Sequence, residues 1–509
     1  MRGRNFASAA LTVAGGAVVG LAVMYHLLGW TVLVIESGGG CGGRYSPCPR
    51  GIGTAILLAF AFTVAGALLL QKAREATERL LRGHRFTAVV LAGAVLAVWP
   101  GWLGYQWLRG PHAELVWQAA ADRPSSVRGV GNWGVDGAVV RGRTDGLTSY
   151  AVGDGAERWN LPAPARESVC RMSRGTADGT GLVGSGRHGK PCATVTAVDL
   201  ETGRVLWTER AGKGDPHRNY DAAAGLAVAG GLAVVAETGA GTEAVTALSL
   251  EDGSRAWSRK AGRGCSVSGV HASDSRVLVV SSCFDGHDYA TDQDDERTAD
   301  AAALDPRTGK QQWRAVLPVE STLENLSLLS ADPAVLLVDE EDERGTAAVL
   351  ALDDSGRTTA TIPLAGRTES LSALPEWTTG FPARPVLRAV VHDGLFATAV
   401  TAPGDDEPYG VAAYLLADGR RVWGTEFEEP VRSLAVRGDE LALVTGHEYG
   451  DRSLLHILEG RTGIRRDEGV VLRGAKLEGG AEHLPAGKGM HVFVNSDGTG
   501  DHRPALALR

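Results

Sequence analysis

One phrase recurs along this chain at near-regular intervals, and few folds can accommodate it. Its cleanest form is Ala197-Val-Asp199-Leu-Glu-Thr202-Gly203-Arg-Val-Leu-Trp207. It reads as a strand, a tight turn closed by glycine, and a returning strand that carries tryptophan. Ala247 to Trp257, Ala303 to Trp313 and Ala413 to Trp423 keep the same ten-residue step, and Ser149 to Trp159 keeps it with a weaker start. Two copies are worn. Ala351-Leu-Asp353-Asp-Ser-Gly356 has no tryptophan after it, and Arg461-Thr462-Gly463 runs on into Ile-Arg-Arg-Asp467.

The turn glycines stand at 155, 203, 253, 309, 356, 419 and 463, in steps of 48, 50, 56, 47, 63 and 44 residues. Between them lie short alternating strands such as residues 231–235, 276–280 and 440–444, broken by Gly, Asp and Asn. No long helical period appears after Glu114. A unit of this length holds four short strands, and a four-stranded unit exposes two apolar faces that only neighbouring units can cover. The pattern predicts an all-β propeller.

The phrase resembles the repeat of the PQQ-type propellers, Ala-x-Asp-x-x-Thr-Gly-x-x-x-Trp, over residues 114–509. That family includes the quinoprotein alcohol and glucose dehydrogenases and a non-catalytic outer-membrane assembly lipoprotein. The resemblance implies that the phrase joins the third and fourth strands of a blade. It also implies that each tryptophan packs between blades on the next glycine turn. Trp159, Trp207, Trp257, Trp313 and Trp423 are then blade-docking residues, with Gly155, Gly203, Gly253, Gly309 and Gly419 as turn partners. The two chain ends suggest closure. Residues 504–509 look like a third strand without a fourth, and residues 114–118 look like a fourth strand without a third, with Trp117 as its tryptophan. Seven phrases and this composite give eight blades, as the resemblance also implies; a worn phrase outside a true blade would leave seven.

The N-terminal fifth has a different composition. Residues 6–35, 51–70 and 86–108 are three uncharged stretches, each meeting the ~20 apolar residues needed to cross a bilayer. They predict a membrane domain over residues 1–110, ahead of a propeller over residues 111–509. Arg2 and Arg4, and a loop with Lys72, Arg74, Arg79, Arg82 and Arg85, place the N-terminus in the cytoplasm and the propeller outside. Trp30, Trp99, Trp102, Tyr105 and Trp107 fall at the outer span ends, where amphipathic rings settle. His26 is the ionisable side chain well inside a span, and it reads as a neutral histidine near the outer interface. Gly16 and Gly20 can let helices approach closely.

This address fits the cysteines. Six fall in three local pairs, Cys41 with Cys48, Cys170 with Cys192 and Cys265 with Cys283. They suggest disulfides in an oxidising space, the last two stapling the first to the third strand of one blade and the first to the second strand of another. From Pro111 onward 41 Lys/Arg face 57 Asp/Glu, an acidic balance that disfavours nucleic acid.

Other motifs carry little chemistry. Gly129-Val-Gly131-Asn-Trp-Gly134 precedes a strand rather than a helix, which excludes a dinucleotide site. Residues 184–191 approach a phosphate-binding loop, but Pro191 stands where a hydroxyl residue would hold magnesium. Acidic runs at 284–300 and 339–343 lack an ordered calcium-loop pattern and read as solvated hairpin tips. An insertion over residues 367–388 carries Trp377 and Phe381, candidates for a protein partner. No catalytic constellation, metal site or cofactor site emerges. The expected role is a membrane-anchored binding or scaffold module without catalysis. A dehydrogenase using PQQ and calcium, and a ligand sensor signalling through a membrane partner, are the alternatives. A chain of about 49 residues per blade has little to spare for the loops that would hold PQQ.

Overall fold

A computed structural model of the protein describes residues 2–37, 48, 50–77, 83–124, 127, 129–187, 192–210, 225–237, 244–284, 297–321, 323–341, 344–373, 388–447, 453–467, 469–473, 475–477, 481–486, 489–496 and 503–509. The chain forms two compact units. One is Met1–Ala113 with Tyr449–Leu454 and Gly469–Arg473; the other holds the remaining residues.

The first unit contains α1 (Arg2–Ser37), α2 (Ile52–Thr77) and α3 (His84–Arg109). Each carries a segment long and apolar enough to cross a membrane: Ala9–Val34, Ile52–Ala76 and His84–Arg109, of mean hydropathy 1.9, 2.3 and 1.8. The helices overrun the uncharged stretches, α2 by a turn or more, because Gln71, Lys72, Ala73, Arg74 and Glu75 are good helix formers. Gly16 and Gly20 sit where α1 meets α3. A Cβ on Gly16 would stand 2.2 Å from the Val90 carbonyl oxygen, and one on Gly20 would stand 2.7 Å from Ala94. His26 Nε2 lies 3.3 Å from Thr63 Oγ1, with the Phe60 ring edge-on at 5.0 Å between centroids.

The strands after Glu114, including Ser453–Leu454 and Val470–Leu472, form an eight-bladed β-propeller of four-stranded blades. Blade 1 is Gly129–Val135, Ala138–Arg143, Gly146–Ala151 and Glu157–Pro162. Blade 2 is Ser168–Met172, Thr180–Gly186, Thr194–Asp199 and Val205–Arg210. Blade 3 is Leu226–Ala229, Leu232–Glu237, Ala244–Ser249 and Arg255–Lys260. Blade 4 is Cys265–Ala272, Val277–Phe284, Arg297–Leu304 and Gln311–Val316. Blade 5 is Leu323–Ala331, Ala334–Glu340, Ala347–Leu352 and Thr358–Pro363. In blade 6 the first strand is split into Ser370–Leu371 and Ala389–His392, both paired with Leu395–Thr401, followed by Gly410–Leu415 and Arg421–Glu426. Blade 7 is Val431–Arg437, Glu440–Gly446, Ser453–Glu459 and Val470–Leu472. The split in blade 6 falls at the insertion seen in the sequence.

There is no single core. The apolar residues form layers between blades, such as Leu278, Ala301 and Trp313 of blade 4 with Leu328, Leu336 and Leu350 of blade 5. Second and third strands are covered on both faces and read as continuous apolar runs, as in Ala334-Val-Leu-Leu-Val338. At about 25 cal/mol per Å2 of apolar area buried, these shared layers are the main driving force for holding the ring.

Blade 8 closes the ring. Glu482–Ala486, Met490–Val494 and Ala505–Leu508 supply its first three strands, and Leu115–Gln118 supplies the fourth. Ala507 faces Trp117 in the ladder. A buried ion pair locks the joint. Arg141 of blade 1 donates from Nη1 to both carboxylate oxygens of Asp122, at 2.8 and 2.7 Å. Its Nε and Nη2 donate to the Asn495 and Ser496 carbonyls of blade 8. Arg143 adds a second contact to Asp122 at 2.8 Å.

Candidate functional site

The ten-residue step has a direct geometric reading. In the hairpin it sets Ala197 opposite Trp207, Ala247 opposite Trp257, Ala303 opposite Trp313, Ala413 opposite Trp423 and Ser149 opposite Trp159. A small residue opposite the indole leaves room for the ring to lie across the seam. A register shift follows the pair in every such hairpin. The acid in the turn holds its backbone: Asp199 accepts from the Glu201 and Thr202 amides, and Asp305 from the Thr308 amide and hydroxyl. The Asp199 and Asp305 carboxyls accordingly lie below the usual carboxylate range, through hydrogen bonds from Thr202 and Thr308.

Each indole reaches the next turn. Trp117 lies on Gly155, Trp159 on Gly203, Trp207 on Gly253, Trp257 on Gly309, Trp313 on Gly356 and Trp423 on Gly463. A Cβ on any of these glycines would stand 2.3–2.9 Å from ring carbons, and all six have φ between 65° and 80°, so glycine is needed twice over. The indole N–H donates to the carbonyl three residues before the glycine: Val152, Leu200, Leu250, Pro306 and Gly460, at 2.6, 3.1, 2.8, 2.7 and 3.2 Å. Trp313 Nε1 has no such acceptor. Its target turn is one residue shorter, and the Gly356 amide donates three residues back rather than four, which moves the carbonyl. Gly419 meets no indole; it faces Ala360, Thr361 and Ile362 of blade 5, which lacks a tryptophan. Gly356 and Gly463 do meet indoles. Matching the six tryptophans in order to the next glycine, worn or not, would have found both.

One side chain links blades that are not neighbours in the ring. Arg174, just after the first strand of blade 2, donates from Nη1 to the Leu328 carbonyl on the first strand of blade 5. First strands of successive blades meet around the axis. The bond skips blades 3 and 4 and joins the axis side of blade 2 to that of blade 5. His271 of blade 4 lies beside it; burial, then the Arg174 charge, pushes its imidazole down to about 4. Elsewhere near the axis, Asn132 of blade 1 donates to Glu482 of blade 8 at 2.7 Å. His483 and His491 of blade 8 lie 3.0 Å apart, and burial is the main reason both are pushed below the ordinary imidazole value. His456 is held down to about 4 by burial and Arg465.

These buried histidines predict a pH dependence. Folded, they stay neutral well below 6.5; unfolded, they take up protons near 6.5. Their contribution is complete above about pH 6.5 and is lost as pH falls from there toward 4. Thermal unfolding should therefore shift down steadily between pH 6.5 and 4.5, and His271→Gln should flatten that slope.

Two disulfides with both cysteines among the described residues staple strands. Cys265 and Cys283 are directly opposed on the first and second strands of blade 4, with an S–S distance of 2.01 Å. Cys170 lies on the first strand of blade 2, but Cys192 stands just before the third strand rather than on it. The bond passes over Gly184 of the second strand, where a Cβ would meet Cys192 Sγ at 2.8 Å, so the sulfur needs the space that glycine leaves. Cys41, and with it the pairing of Cys41 with Cys48, lies outside the described residues, as do Trp377 and Phe381 and residues 285–296. Among the described residues no group of three or more His, Cys, Asp or Glu is placed to hold a metal ion. A cavity of about 210 Å3 opens between blades 3 and 4, over Val245, Val267 and Leu304, with Arg259, Lys260 and Arg314 also in its wall.

Eight four-stranded blades, six of whose seams are docked by indole on glycine, define a propeller of PQQ-like repeats. The family model described as outer membrane protein assembly factor BamB matches residues 191–466, more than half of the chain, and the chain belongs to that family. No curated protein matches it in sequence. Among solved structures, BamB from Moraxella catarrhalis is similar at 14% identity and a TM-score of 0.44, covering 78% of this chain and 97% of that one. A europium-containing methanol dehydrogenase is similar at 13% identity and a TM-score of 0.45, over 75% and 84%. Saccharomyces cerevisiae Sqt1 is similar at 13% identity and a TM-score of 0.44, over 78% and 98%.

Proposed function

We propose that the chain is a membrane-anchored, extracytoplasmic propeller that acts as a binding or scaffold module without catalysis. In this reading residues 1–110 are the membrane domain, with the N-terminus in the cytoplasm, and residues 111–509 stand outside. The observation that carries it is the contact of Arg174 with the Leu328 carbonyl, which sends a side chain of the protein itself across from blade 2 to blade 5. The Cys170–Cys192 and Cys265–Cys283 bonds suit an oxidising compartment, and the basic residues at 72–85 suit a cytoplasmic loop. The six tryptophans of the repeat are committed to blade seams, which leaves binding to the loops that depart from it. Blade 6, whose first strand is split around residues 372–388, is the leading candidate for contact with a protein partner.

Cross-linking in intact membranes, followed by affinity capture of the full chain, tests this. The expected result is a defined protein partner that disappears when residues 374–387 are replaced by a short Gly-Ser linker. Capture unchanged by that replacement would remove the blade 6 loop from the binding surface.

A further inference from the structure

At one end of the helical unit, the start of α2 and the end of α3 line a cavity of about 590 Å3. Arg50, Thr54, Gln106 and Trp107 are among its walls. Glycine makes the shape possible. Gly51 has φ +74°, and a Cβ there would stand 2.2 Å from the Leu108 carbonyl oxygen, so the two helices close tightly at this point. Gly110 has φ +71°, and the Arg50 guanidinium lies over it, 3.2 Å from where a Cβ would be. A second guanidinium stands nearby, since Arg473 Nη1 reaches Gln106 Oε1 at 3.4 Å. Away from the cavity the surface turns apolar. Trp107 (82% exposed), Leu103 and Trp99 follow one another about a turn apart on α3, and Leu57 is exposed on α2.

A hydrogen-bonding mouth with one guanidinium in its wall and a second nearby, above an exposed apolar track, suits an anionic headgroup attached to an acyl chain. Guanidinium groups pair with phosphate oxygens through charge-assisted hydrogen bonds, and indole rings settle at headgroup depth. We propose that this cavity binds the phosphate headgroup of an anionic phospholipid. Arg50, Thr54 and Gln106 face the phosphate and glycerol oxygens, and an acyl chain runs along Trp107, Leu103 and Trp99. The inference rests on the reading of α1–α3 as membrane spans.

The test uses the full chain in detergent, by native mass spectrometry after mixing with phosphatidylglycerol, phosphatidylcholine or glycerol phosphate. A single phosphatidylglycerol is expected to remain bound where phosphatidylcholine and glycerol phosphate do not. Arg50→Gln should weaken retention about tenfold, Arg50→Lys less, and Thr54→Val should lower it with helicity by circular dichroism unchanged. Equal retention of both lipids, or no effect of Arg50→Gln and Thr54→Val, overturns the proposal. Equal binding of glycerol phosphate assigns the cavity to a soluble phosphate and overturns the lipid assignment. Carbonate extraction separates the two readings: a chain that stays in the membrane but retains no phosphatidylglycerol refutes only the lipid site, and a chain released by carbonate refutes the spans as well.

Discussion

Asp122→Ala should destabilise the propeller by about 3–5 kcal/mol, the cost of leaving a buried charge without its partner. Arg141 is 1% exposed, and both of its Nη1 bonds go to the Asp122 carboxylate. Without that carboxylate a guanidinium stays buried beside the joint between residues 115–118 and 505–508. Arg141 also holds the Asn495 and Ser496 carbonyls of blade 8 from blade 1, so a shift of the unpaired guanidinium would disturb both sides of the joint. Urea unfolding followed by far-ultraviolet circular dichroism gives the measurement. Replacing the pair together, Asp122→Leu with Arg141→Met, should recover much of the loss, since well-packed apolar residues often replace a buried pair with little cost. A small effect of Asp122→Ala alone would show that the joint is held by strand pairing, without help from the ion pair.

Trp207→Ala should cost a similar ~3–5 kcal/mol, as large-to-small changes of buried aromatics do. The ring fills the seam between blades 2 and 3 with Leu226, Val235 and Leu250. Its N–H also satisfies the Leu250 carbonyl at 2.8 Å. The phenylalanine variants separate these two contributions. Trp207→Phe loses a hydrogen bond worth about 1 kcal/mol beyond the packing change. Trp313→Phe loses none, because Trp313 Nε1 has no acceptor. Trp207→Phe should therefore be the more destabilising of the two, and equal losses would mean that the seam hydrogen bonds contribute nothing.

Much of this architecture is legible in the sequence because a single physical constraint repeats. A hairpin that needs a small residue, a positive φ and an indole at fixed spacing leaves a mark in one dimension. The composite blade could also be read, since residues 505–508 and 115–118 each lack the partner that the other supplies. The mark is fainter where it has eroded. Gly356 and Gly463 serve as indole seats although their own hairpins lost the tryptophan, because the seat belongs to one blade and the ring to the one before. Neither the Asp122–Arg141 pair nor the Arg174–Leu328 bridge leaves any local trace. The first joins residues 19 apart and the second residues 154 apart, and both depend on ring closure to bring blades face to face. Partner recognition is harder still to read, since loops outside the repeat follow no period.

The role proposed for the ring is binding rather than quinone chemistry. Its most direct test is equilibrium dialysis of the full chain against PQQ with calcium, followed by dye reduction with alcohols and sugars. With Arg174 reaching across from blade 2 to blade 5, no stoichiometric PQQ retention and no substrate-dependent reduction is the predicted result. Retention of one PQQ per chain with turnover would contradict it.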